Sequence, residues 1–514
     1  MRSLLLLLAA LAVASPSVSQ TPPSPFAHPY MGWSSWSLIR DHPTEENIKA
    51  QADALIANHL SDFGYRYINV DDGWSDGFDD HGIPKPNLTR FPDGVDGMAK
   101  YMHTHGLKFG IYLNPGISAA LLKQNPLIAG TTARIADITD TTQAGSTRRN
   151  SFRIDFSKPA AAVYIRSQVA QFDAWDIDFI KFDFVGPGGG NVPADNREEL
   201  RQWHAAVTHA SRPIWLELSN YLSIDQAPLW RATSNGWRIE NDIECYGACD
   251  NSTDPAIHGN LTTWSKVAVR FNDAVRWIPY AGLGAKGEGG WNDLDTLELG
   301  NGDRDGITPD ERQSMFVLWA ISCAPLYLGS DLTKMDAADF ALITNREIIA
   351  VDQAGIPARP LDIQHLRNKP QQAWLTKYGD GTAILALFNL APDPAEIKLS
   401  WTEVDALRDT DLAVGAPPTL HDLIANTDVA ATPDGLTLTL APHASRILRV
   451  APDLRTKSAP LAPRLAELEL RRPHYQCRQQ IQHVTRIRIL RVRLRQLLVD
   501  LLTRLSRNLA ANQR

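Results

Sequence analysis

Residues 67–74 of the chain read Tyr67-Ile-Asn-Val-Asp-Asp-Gly-Trp74, a short apolar run that ends in two carboxylates. A β-rich run followed by an acidic residue returns at Asp178-Phe-Ile-Lys-Phe-Asp183 and at Trp215-Leu-Glu217. Helical patterns separate these runs, and the alternation predicts parallel strands joined by helices. Because (β/α)₈ barrels carry their active sites at the carboxyl ends of the strands, the acidic endings favour such a barrel.

Eight such units fall between Pro29 and about Gln353. The predicted strands are Tyr30–Trp36, Tyr67–Asp71, Lys108–Leu113, Asp178–Phe184, Pro213–Glu217, Trp237–Asp242, Trp277–Ala281 and Leu326–Gly329. The helices predicted between them include Glu45–Leu60, Ala160–Ala174, Glu198–Ala210, Thr262–Asn272 and Pro309–Ala320. A doubly wound open sheet is the alternative, but Gly188-Gly-Gly190 lacks the spacing of a phosphate-binding turn.

From about Gly355 to Val450 the pattern changes to short alternating runs separated by turn residues, which predicts an antiparallel sandwich. The predicted fold class is therefore α/β, a (β/α)₈ TIM barrel followed by a C-terminal antiparallel β-sandwich. We assign residues 1–19 to a signal peptide, 27–354 to the catalytic barrel and 355–451 to the sandwich. Residues 452–514 form a basic tail, which we expect to be disordered or helical.

Charge is distributed unevenly along the 514 residues. The chain has a formal net charge of −7, but its last 63 residues hold 14 Lys and Arg against four Asp and Glu, which leaves −17 for residues 1–451. An acidic body argues against a nucleic-acid partner. The basic tail is either an appended segment without a role or an amphipathic helix that touches anionic surfaces. The 14 Trp residues offer flat rings that suit sugars as well as cores.

The N-terminus combines a charged start, an apolar run at Leu4–Val13 and a small-residue exit, the pattern of a secretory signal peptide. A secreted or periplasmic protein is therefore expected, and no other segment is apolar enough to span a membrane. Export permits a disulfide between Cys245 and Cys249. Cys323 lies in an apolar helix-like run and is expected to be a buried free thiol. The cysteine and histidine spacing matches no zinc site, and no metal or cofactor is predicted.

The acidic strand ends suggest glycosidase chemistry. Lys181 and Asp183 are two residues apart, so they point to the same side of their strand, where the ammonium is expected to keep the carboxylate ionised. An ionised carboxylate is a suitable nucleophile for an anomeric carbon. Asp242 lies on another strand and can face the sugar from the opposite side, as an acid if its surroundings raise its pKa. Calcium binding by Asp71 and Asp72 is the alternative, although no dense carboxylate string accompanies them.

Further motifs occur in an order that resembles the α-galactosidases of glycoside hydrolase family 27. They are Met31-Gly-Trp-Ser-Ser-Trp36, Tyr67-Ile-Asn-Val-Asp-Asp-Gly-Trp74, Lys108-Phe-Gly-Ile-Tyr112, Asp178-Phe-Ile-Lys-Phe-Asp183, Trp215-Leu-Glu217, Trp237-Arg238 with Asp242, Gly290-Trp-Asn-Asp-Leu-Asp295 and Ala324-Pro-Leu-Tyr-Leu-Gly-Ser-Asp331. The resemblance covers about residues 29–331, together with the β-sandwich that usually follows.

The resemblance implies a role for each matching position. Asp183 corresponds to the nucleophile and Asp242 to the acid/base. The substrate-binding positions are Asp71 and Asp72 at the galactose 4- and 6-hydroxyls, Lys181 at O3 and O4, Glu217 and Arg238 around the 2-hydroxyl, and Trp36, Tyr112 and Asp295 at the pocket wall. A 2-hydroxyl site made of Glu and Arg argues against an N-acetyl substrate.

Three features depart from the family pattern. Asp183 is followed by Phe184-Val185 where the family usually has Asn-Cys, so the family's disulfide at that point is absent. Gly73 stands where the family has Cys. The stretch from Tyr112 to Asp183 is longer than usual, and an extended loop there would reshape the leaving-group side of the pocket. These departures are similar to those of an isomaltodextranase-like branch of the family.

The sequence therefore predicts a secreted retaining exo-glycosidase that hydrolyses terminal α-D-galactosyl residues of oligo- or polysaccharides through a covalent glycosyl-enzyme. An isomaltodextranase-like α-glucan hydrolase and a β-L-arabinopyranosidase are alternatives on the same scaffold. A non-catalytic glycan-binding protein is the alternative from a different class, although both candidate carboxylates are present.

Overall fold

The structure is a computed structural model. It describes residues 24–148, 151–190, 192–246, 261–284, 289–408, 410 and 418–451. The predicted signal peptide, the predicted basic tail and Cys249 lie outside the described residues, so these expectations stay predictions. Cys323 is buried and free, as predicted.

Eight short parallel strands form one curled sheet. They are β1 (Met31–Ser34), β2 (Tyr67–Asn69), β3 (Lys108–Leu113), β4 (Phe179–Phe182), β5 (Trp215–Leu218), β6 (Gly236–Arg238), β7 (Trp291–Asp293) and β8 (Leu326–Leu328). The order across the sheet is β7-β6-β5-β4-β3-β2-β1-β8, so β8 returns to pair with β1. Leu297, just after β7, forms a parallel bridge with Leu328 of β8 and brings the two ends of the sheet together. The predicted (β/α)₈ barrel is confirmed.

The seventh strand is not where the sequence pattern placed it. Trp277–Ala281 is not a strand, because Trp277 ends a helix that starts at Trp264 and a 3-10 turn follows it. The buried side chains of that helix recur every three or four residues, the spacing of a helix face. The seventh strand is instead Trp291–Asp293, whose three residues are all buried.

The interior of the barrel has an aromatic lower layer and a charged upper layer. The lower layer contains Tyr30, Tyr67, Phe179, Trp215, Trp291 and Tyr327. Side chains two residues apart on a strand point the same way, so the next inward positions after three of these rings carry Lys181, Glu217 and Asp293. The charged groups at the mouth therefore stand on a buried aromatic layer.

Twelve α-helices occur in the described part of the chain. They are α1 (Trp36–Ile39), α2 (Glu45–Ala57), α3 (Gly94–Thr104), α4 (Ala119–Gln124), α5 (Pro159–Ala174), α6 (Arg197–Val207), α7 (Ala227–Thr233), α8 (Trp264–Trp277), α9 (Pro309–Ser322), α10 (Ala337–Ile343), α11 (Arg346–Gln353) and α12 (Trp401–Arg408). Thr308 begins α9 with a capping box, since its hydroxyl accepts from Glu311 N and the Glu311 carboxylate accepts from Thr308 N. No helix of the described residues is both long enough and apolar enough to span a membrane.

The C-terminal domain consists of antiparallel sheets. Its strands are β9 (Arg359–Pro360), β10 (Gln371–Lys377), β11 (Ala383–Asn389), β12 (Ala395–Ser400), β13 (Thr419–Asp422), β14 (Thr427–Val429), β15 (Gly435–Leu440) and β16 (Ser445–Ala451). One sheet has the order β9-β10-β11-β16-β13-β14 and the other pairs β12 with β15. Helix α9 joins this domain to the barrel, because Gln313 donates to Ser445 O over 2.8 Å and Ser314 donates to His443 O over 2.6 Å.

The long connection between β3 and β4 forms a small sheet of its own. Ser151–Ile154 pairs with Ile117–Ser118 on one side and with Thr139–Ala144 on the other. Glu199 of α6 holds the base of this sheet, since its carboxylate accepts from Gly116 N at 3.0 Å and from Asn196 Nδ2 at 3.1 Å. The described residues of the extended loop expected from the sequence therefore include a three-stranded sheet.

Candidate active site

Asp71 and Lys181 form a buried ion pair at the mouth. The ammonium of Lys181 lies 2.7 Å from Asp71 Oδ2, and the Asp71 side chain is 4% exposed. Ser35 Oγ accepts from Asp71 N at 2.9 Å, which ties the end of β2 to the loop after β1. Burial lowers the pKa of Lys181, but Asp71 and Asp183 outweigh it and hold that pKa above the ordinary value. Lys181 is therefore a fixed positive charge between two carboxylates.

Asp183 stands at the end of β4, beside Lys181. Tyr112 Oη donates to Asp183 Oδ2 over 3.0 Å, and Phe184 N donates to Asp183 Oδ1 over 2.9 Å. Its backbone N–H bonds to Leu113 O of β3 at 2.9 Å. Both carboxylate oxygens are thus held by donors on rigid elements, which fixes the direction in which the carboxylate faces the mouth.

Asp242, four residues beyond Arg238, follows β6 and has partners of its own. Arg238 Nη2 contacts Asp242 Oδ1 at 2.9 Å, and Tyr246 Oη donates to Asp242 Oδ2 over 2.7 Å. Burial raises the pKa of Asp242, but Arg238, with help from Tyr246 and Lys181, outweighs it and holds that pKa well below the ordinary value. The surroundings therefore favour the ionised form, the opposite of the raised pKa on which its role as an acid was predicted to depend.

Glu217 and Arg238 each present a buried atom without a partner. Glu217 Oε2 accepts from Trp215 Nε1 at 2.8 Å, while Glu217 Oε1 and Arg238 Nε have no hydrogen-bond partner among the described residues. Burial and the nearby charge of Asp293 raise the pKa of Glu217 well above its ordinary value. A Cβ on Gly236 would lie 2.1 Å from Glu217 Oε2, so glycine is required at that position of β6.

Asp295 is buried and contacts Arg238. Arg238 Nη2 contacts Asp295 Oδ2 at 2.6 Å, and the Asp295 side chain is 3% exposed. Tyr327 Oη lies 3.2 Å from Asp295 Oδ1 and 3.0 Å from Asp293 Oδ2. Asp295 can therefore orient Arg238 but has little surface of its own at the mouth.

The remaining predicted residues lie at the rim. Asp72 is half-buried, and its Oδ1 accepts from Gly73 N at 2.8 Å. Trp36 is also half-buried, and its Nε1 donates to Tyr246 Oη over 2.7 Å. The structure thus gathers the predicted residues at the carboxyl ends of β1 to β7 and their following loops.

One group of carboxylates among the described residues has the spacing of a metal site. Oxygens of Asp242, Glu244 and Asp295 lie within 4.8 Å of one another. Arg238 contacts two of these three carboxylates, at 2.9 and 2.6 Å. Its guanidinium therefore already supplies the positive charge that a cation would bring.

Comparison with known proteins decides the family. The profile described as Alpha galactosidase A matches residues 29–122 and 154–354, and the profile of the alpha galactosidase C-terminal beta sandwich domain matches residues 368–450. The chain belongs to the α-galactosidase family. It is an O-glycosyl hydrolase of this family, and the predicted sandwich at its C-terminus is confirmed.

Relatives of this α-galactosidase-family enzyme match most of its length. Alpha-galactosidase 2 of Arabidopsis thaliana is 28% identical and covers 82% of this chain and 88% of its own. The alpha-galactosidase of Cyamopsis tetragonoloba is 27% identical over 77% of this chain and 80% of its own. Among solved structures, a family 27 β-L-arabinopyranosidase from Geobacillus stearothermophilus superposes with a TM-score of 0.72 at 27% identity, covering 84% of this chain and 98% of that one.

Tyr246 is a site residue of this family member that the sequence analysis missed. Its hydroxyl accepts from Trp36 Nε1 and donates to Asp242 Oδ2, each over 2.7 Å. The guanidinium of Arg40 lies 4.7 Å from the centre of its ring. A tyrosine four residues after a candidate acid is a weak signal in a sequence, because only the fold brings Trp36 and Arg40 to it.

Proposed function

We propose that this enzyme removes terminal α-D-galactosyl residues from oligo- or polysaccharides, with retention of the anomeric configuration. The observation that carries the proposal is the pair of unpartnered buried atoms, Glu217 Oε1 and Arg238 Nε. A buried polar group without a partner is costly, and a sugar 2-hydroxyl can both donate to the first and accept from the second. The site is therefore complementary to a sugar that carries a free hydroxyl at C2.

Two further contacts support galactose as that sugar. The axial 4-hydroxyl of galactose fits the fixed pair of Asp71 and Lys181, whereas the equatorial hydroxyl of glucose would leave these buried charges underpaired. Asp72 adds a second carboxylate next to Asp71, suited to the 6-hydroxyl. The β-L-arabinopyranosidase that superposes on this chain makes arabinopyranose the second candidate, since that ring differs from galactose by lacking the hydroxymethyl group.

The proposed reaction runs in two steps. Asp242 gives a proton to the leaving oxygen while Asp183 attacks C1, which breaks the glycosidic bond and forms a glycosyl ester on Asp183. Asp242, now ionised, takes a proton from water, and that water displaces Asp183 from C1. Tyr112 and Phe184 N, which hold Asp183 in the free enzyme, stabilise its carboxylate when it leaves. The positive charges around Asp242 favour its ionised form, which is the base that the second step requires.

The experiment that tests the sugar is a comparison of four p-nitrophenyl glycosides. We expect kcat/KM for the α-D-galactopyranoside to exceed that for the α-D-glucopyranoside by about 10³-fold or more, because the wrong epimer leaves buried polar groups unpaired. The β-L-arabinopyranoside should be slower than the galactoside by roughly tenfold to a hundredfold, the loss of one hydrogen bond to a charged group. The N-acetyl-α-D-galactosaminide should be inert. Faster turnover of the arabinoside than of the galactoside would establish the second candidate instead.

The hydrogen bond from Tyr246 to Asp242 allows the proposal to be tested through the pH dependence of kcat/KM. Its hydroxyl favours ionised Asp242, so Tyr246→Phe should raise the pKa of Asp242 and keep the proton-donating form to higher pH. We expect the alkaline limb of kcat/KM for an α-galactosyl oligosaccharide to move upward by up to about one unit. The control is Tyr101→Phe, whose hydroxyl bonds to Asp53 on the surface and should leave the pH profile in place. A reduced kcat with an unmoved limb would show that Tyr246 acts only through its contacts with Trp36 and Arg40.

A further inference from the structure

Residues 123–153 separate the two stretches that match the barrel profile, 29–122 and 154–354. This segment, in the connection between β3 and β4, is therefore a part of the barrel that the family profile does not match. It returns to the barrel mouth at Thr147, whose N–H donates to Phe184 O over 2.9 Å. Phe184 directly follows Asp183, so this segment contacts the chain one residue from the proposed nucleophile.

Thr147 fastens this segment to the loops after β4 and β5. Asn220 Nδ2 donates to Thr147 Oγ1 over 2.9 Å, and Thr147 O accepts from Val192 N at 3.2 Å. The Thr147 side chain is buried, and a Cβ on Gly190 would lie only 2.4 Å from its Cβ. Thr147 is therefore held in place at the rim, and it fixes the backbone from which the side chain of the next residue, Arg148, extends.

Two of the three residues that bond to Thr147, Phe184 and Asn220, have backbones in a sparsely populated conformation. Phe184 has φ of 57° and Asn220 has φ of 77°, in the left-handed region that residues with side chains seldom occupy. Such conformations cost about 1–3 kcal/mol each and persist where the surrounding structure imposes them, often at functional sites. Two residues in this conformation therefore hold one loop beside the proposed nucleophile.

Arg148 is the group that this rim presents. Its guanidinium lies 4.6 Å from the centre of the Phe184 ring, and the residue is exposed. Within the described part of the chain no carboxylate pairs with Arg148, whereas Arg153 of the same segment pairs with Asp140 at 2.6 Å. The planar guanidinium thus rests on an aromatic ring and keeps its N–H donors for another molecule.

We propose that Arg148 and Phe184 form a subsite for the sugar unit on the leaving-group side of the scissile bond. The proposal rests on the proposed function. The nucleophile and the acid/base of a retaining glycosidase stand on opposite faces of C1 with their carboxyl groups only about 5–5.5 Å apart, so a side chain as long as arginine at the rim beside Asp183 can extend to the face from which the leaving sugar departs. Its hydroxyls accept hydrogen bonds from the guanidinium. The segment 123–153 therefore makes the enzyme selective for the carbohydrate that carries the galactosyl residue.

The test compares a substrate that has a leaving sugar with one that has none. Wild type and Arg148→Ala are assayed on raffinose and on α-D-galactosyl fluoride, whose leaving group is a single ion. We expect the ratio of kcat/KM for raffinose to kcat/KM for the fluoride to fall about tenfold in Arg148→Ala, the loss of a hydrogen bond from a charged donor. Arg148→Lys keeps the charge without the planar fork and should lower the ratio by a smaller factor.

Arg153→Ala is the matched control, because it removes an arginine of the same segment that is already paired with Asp140. Its ratio should equal that of the wild type. An unchanged ratio in Arg148→Ala, or an equal fall in Arg153→Ala, would overturn the subsite. Failure of the wild type to hydrolyse the fluoride at all would overturn the proposed function instead, so the two failures are distinguishable.

Discussion

Asp183→Ala is expected to lower kcat for p-nitrophenyl α-D-galactopyranoside by at least about 10⁴-fold, since the variant lacks the carboxylate that is proposed to attack C1. The partners of Asp183 explain why the rest of the site should survive. Tyr112 lies in β3, which pairs with β4, and Phe184 O accepts from Thr147 N, so both residues should stay in place when the carboxylate is removed. The measurement is steady-state turnover with the thermal midpoint of unfolding beside it, to confirm that the variant folds.

Azide makes this prediction specific to a nucleophile. The variant leaves a space next to C1, so azide can attack there while Asp242 assists departure of the leaving group. The product should be β-D-galactosyl azide, with one inversion of configuration, and its yield should rise with azide concentration. Asp183→Asn is the matched control, because it fills the space and should be inactive without rescue. Wild-type turnover in Asp183→Ala, or an α-azide product, would contradict the assignment.

The barrel could be predicted from the sequence because alternate residues of a strand point to the same side, so an alternating pattern shows which side chains face inward. Phe179, Lys181 and Asp183 are inward positions of one strand and the loop that follows it, and their order already places an aromatic floor below a charged mouth. The prediction of the seventh strand was wrong because the pattern on which it rested was too short. Trp277 would be buried at the end of a helix as well as in a strand, and a run as short as Trp277–Ala281 does not distinguish the two.

The electrostatics of the site could not be predicted in the same way. Arg238 is four residues from Asp242 in the sequence, but the sequence does not show that one guanidinium nitrogen contacts both Asp242 and Asp295. Nor does it show that Tyr246 takes up the other oxygen of Asp242. These contacts join separate loops, and they decide the protonation state on which the chemistry depends.

The shape of the rim could not be predicted from the sequence either. The sequence shows that the connection after Tyr112 is long, and it shows that Phe184 replaces an expected asparagine. Only the fold shows that these two departures meet, with Arg148 of one lying over Phe184 of the other. The local sequence pattern thus predicts the aromatic floor of the barrel and the strands that carry the proposed catalytic residues. Proton transfer and the choice of leaving group depend instead on long-range contacts between loops.

Asp242→Ala is expected to lower kcat/KM for raffinose by about 10²–10⁴-fold, the range of general acid catalysis. The loss should be much smaller for an activated aryl galactoside, because p-nitrophenolate leaves without a proton. Removing Asp242 also leaves Arg238 with only Asp295 as a carboxylate partner and frees the hydroxyl of Tyr246, so the net positive charge at the mouth increases. With the aryl substrate, the glycosyl ester on Asp183 should accumulate, since its hydrolysis has lost the base.

Azide separates this variant from Asp183→Ala by the configuration of the product. The anion needs no base, so it should attack the accumulated ester on Asp183 directly and speed turnover of the aryl galactoside. Two successive inversions at C1 give α-D-galactosyl azide, the opposite anomer to that expected from Asp183→Ala. Asp242→Asn, which keeps the shape and removes the acid, should behave as Asp242→Ala does with raffinose. If Asp242→Ala gave the β-azide, or lost raffinose and aryl turnover to the same extent, Asp242 would not be the acid/base, and the proton would have to come from another group at the mouth.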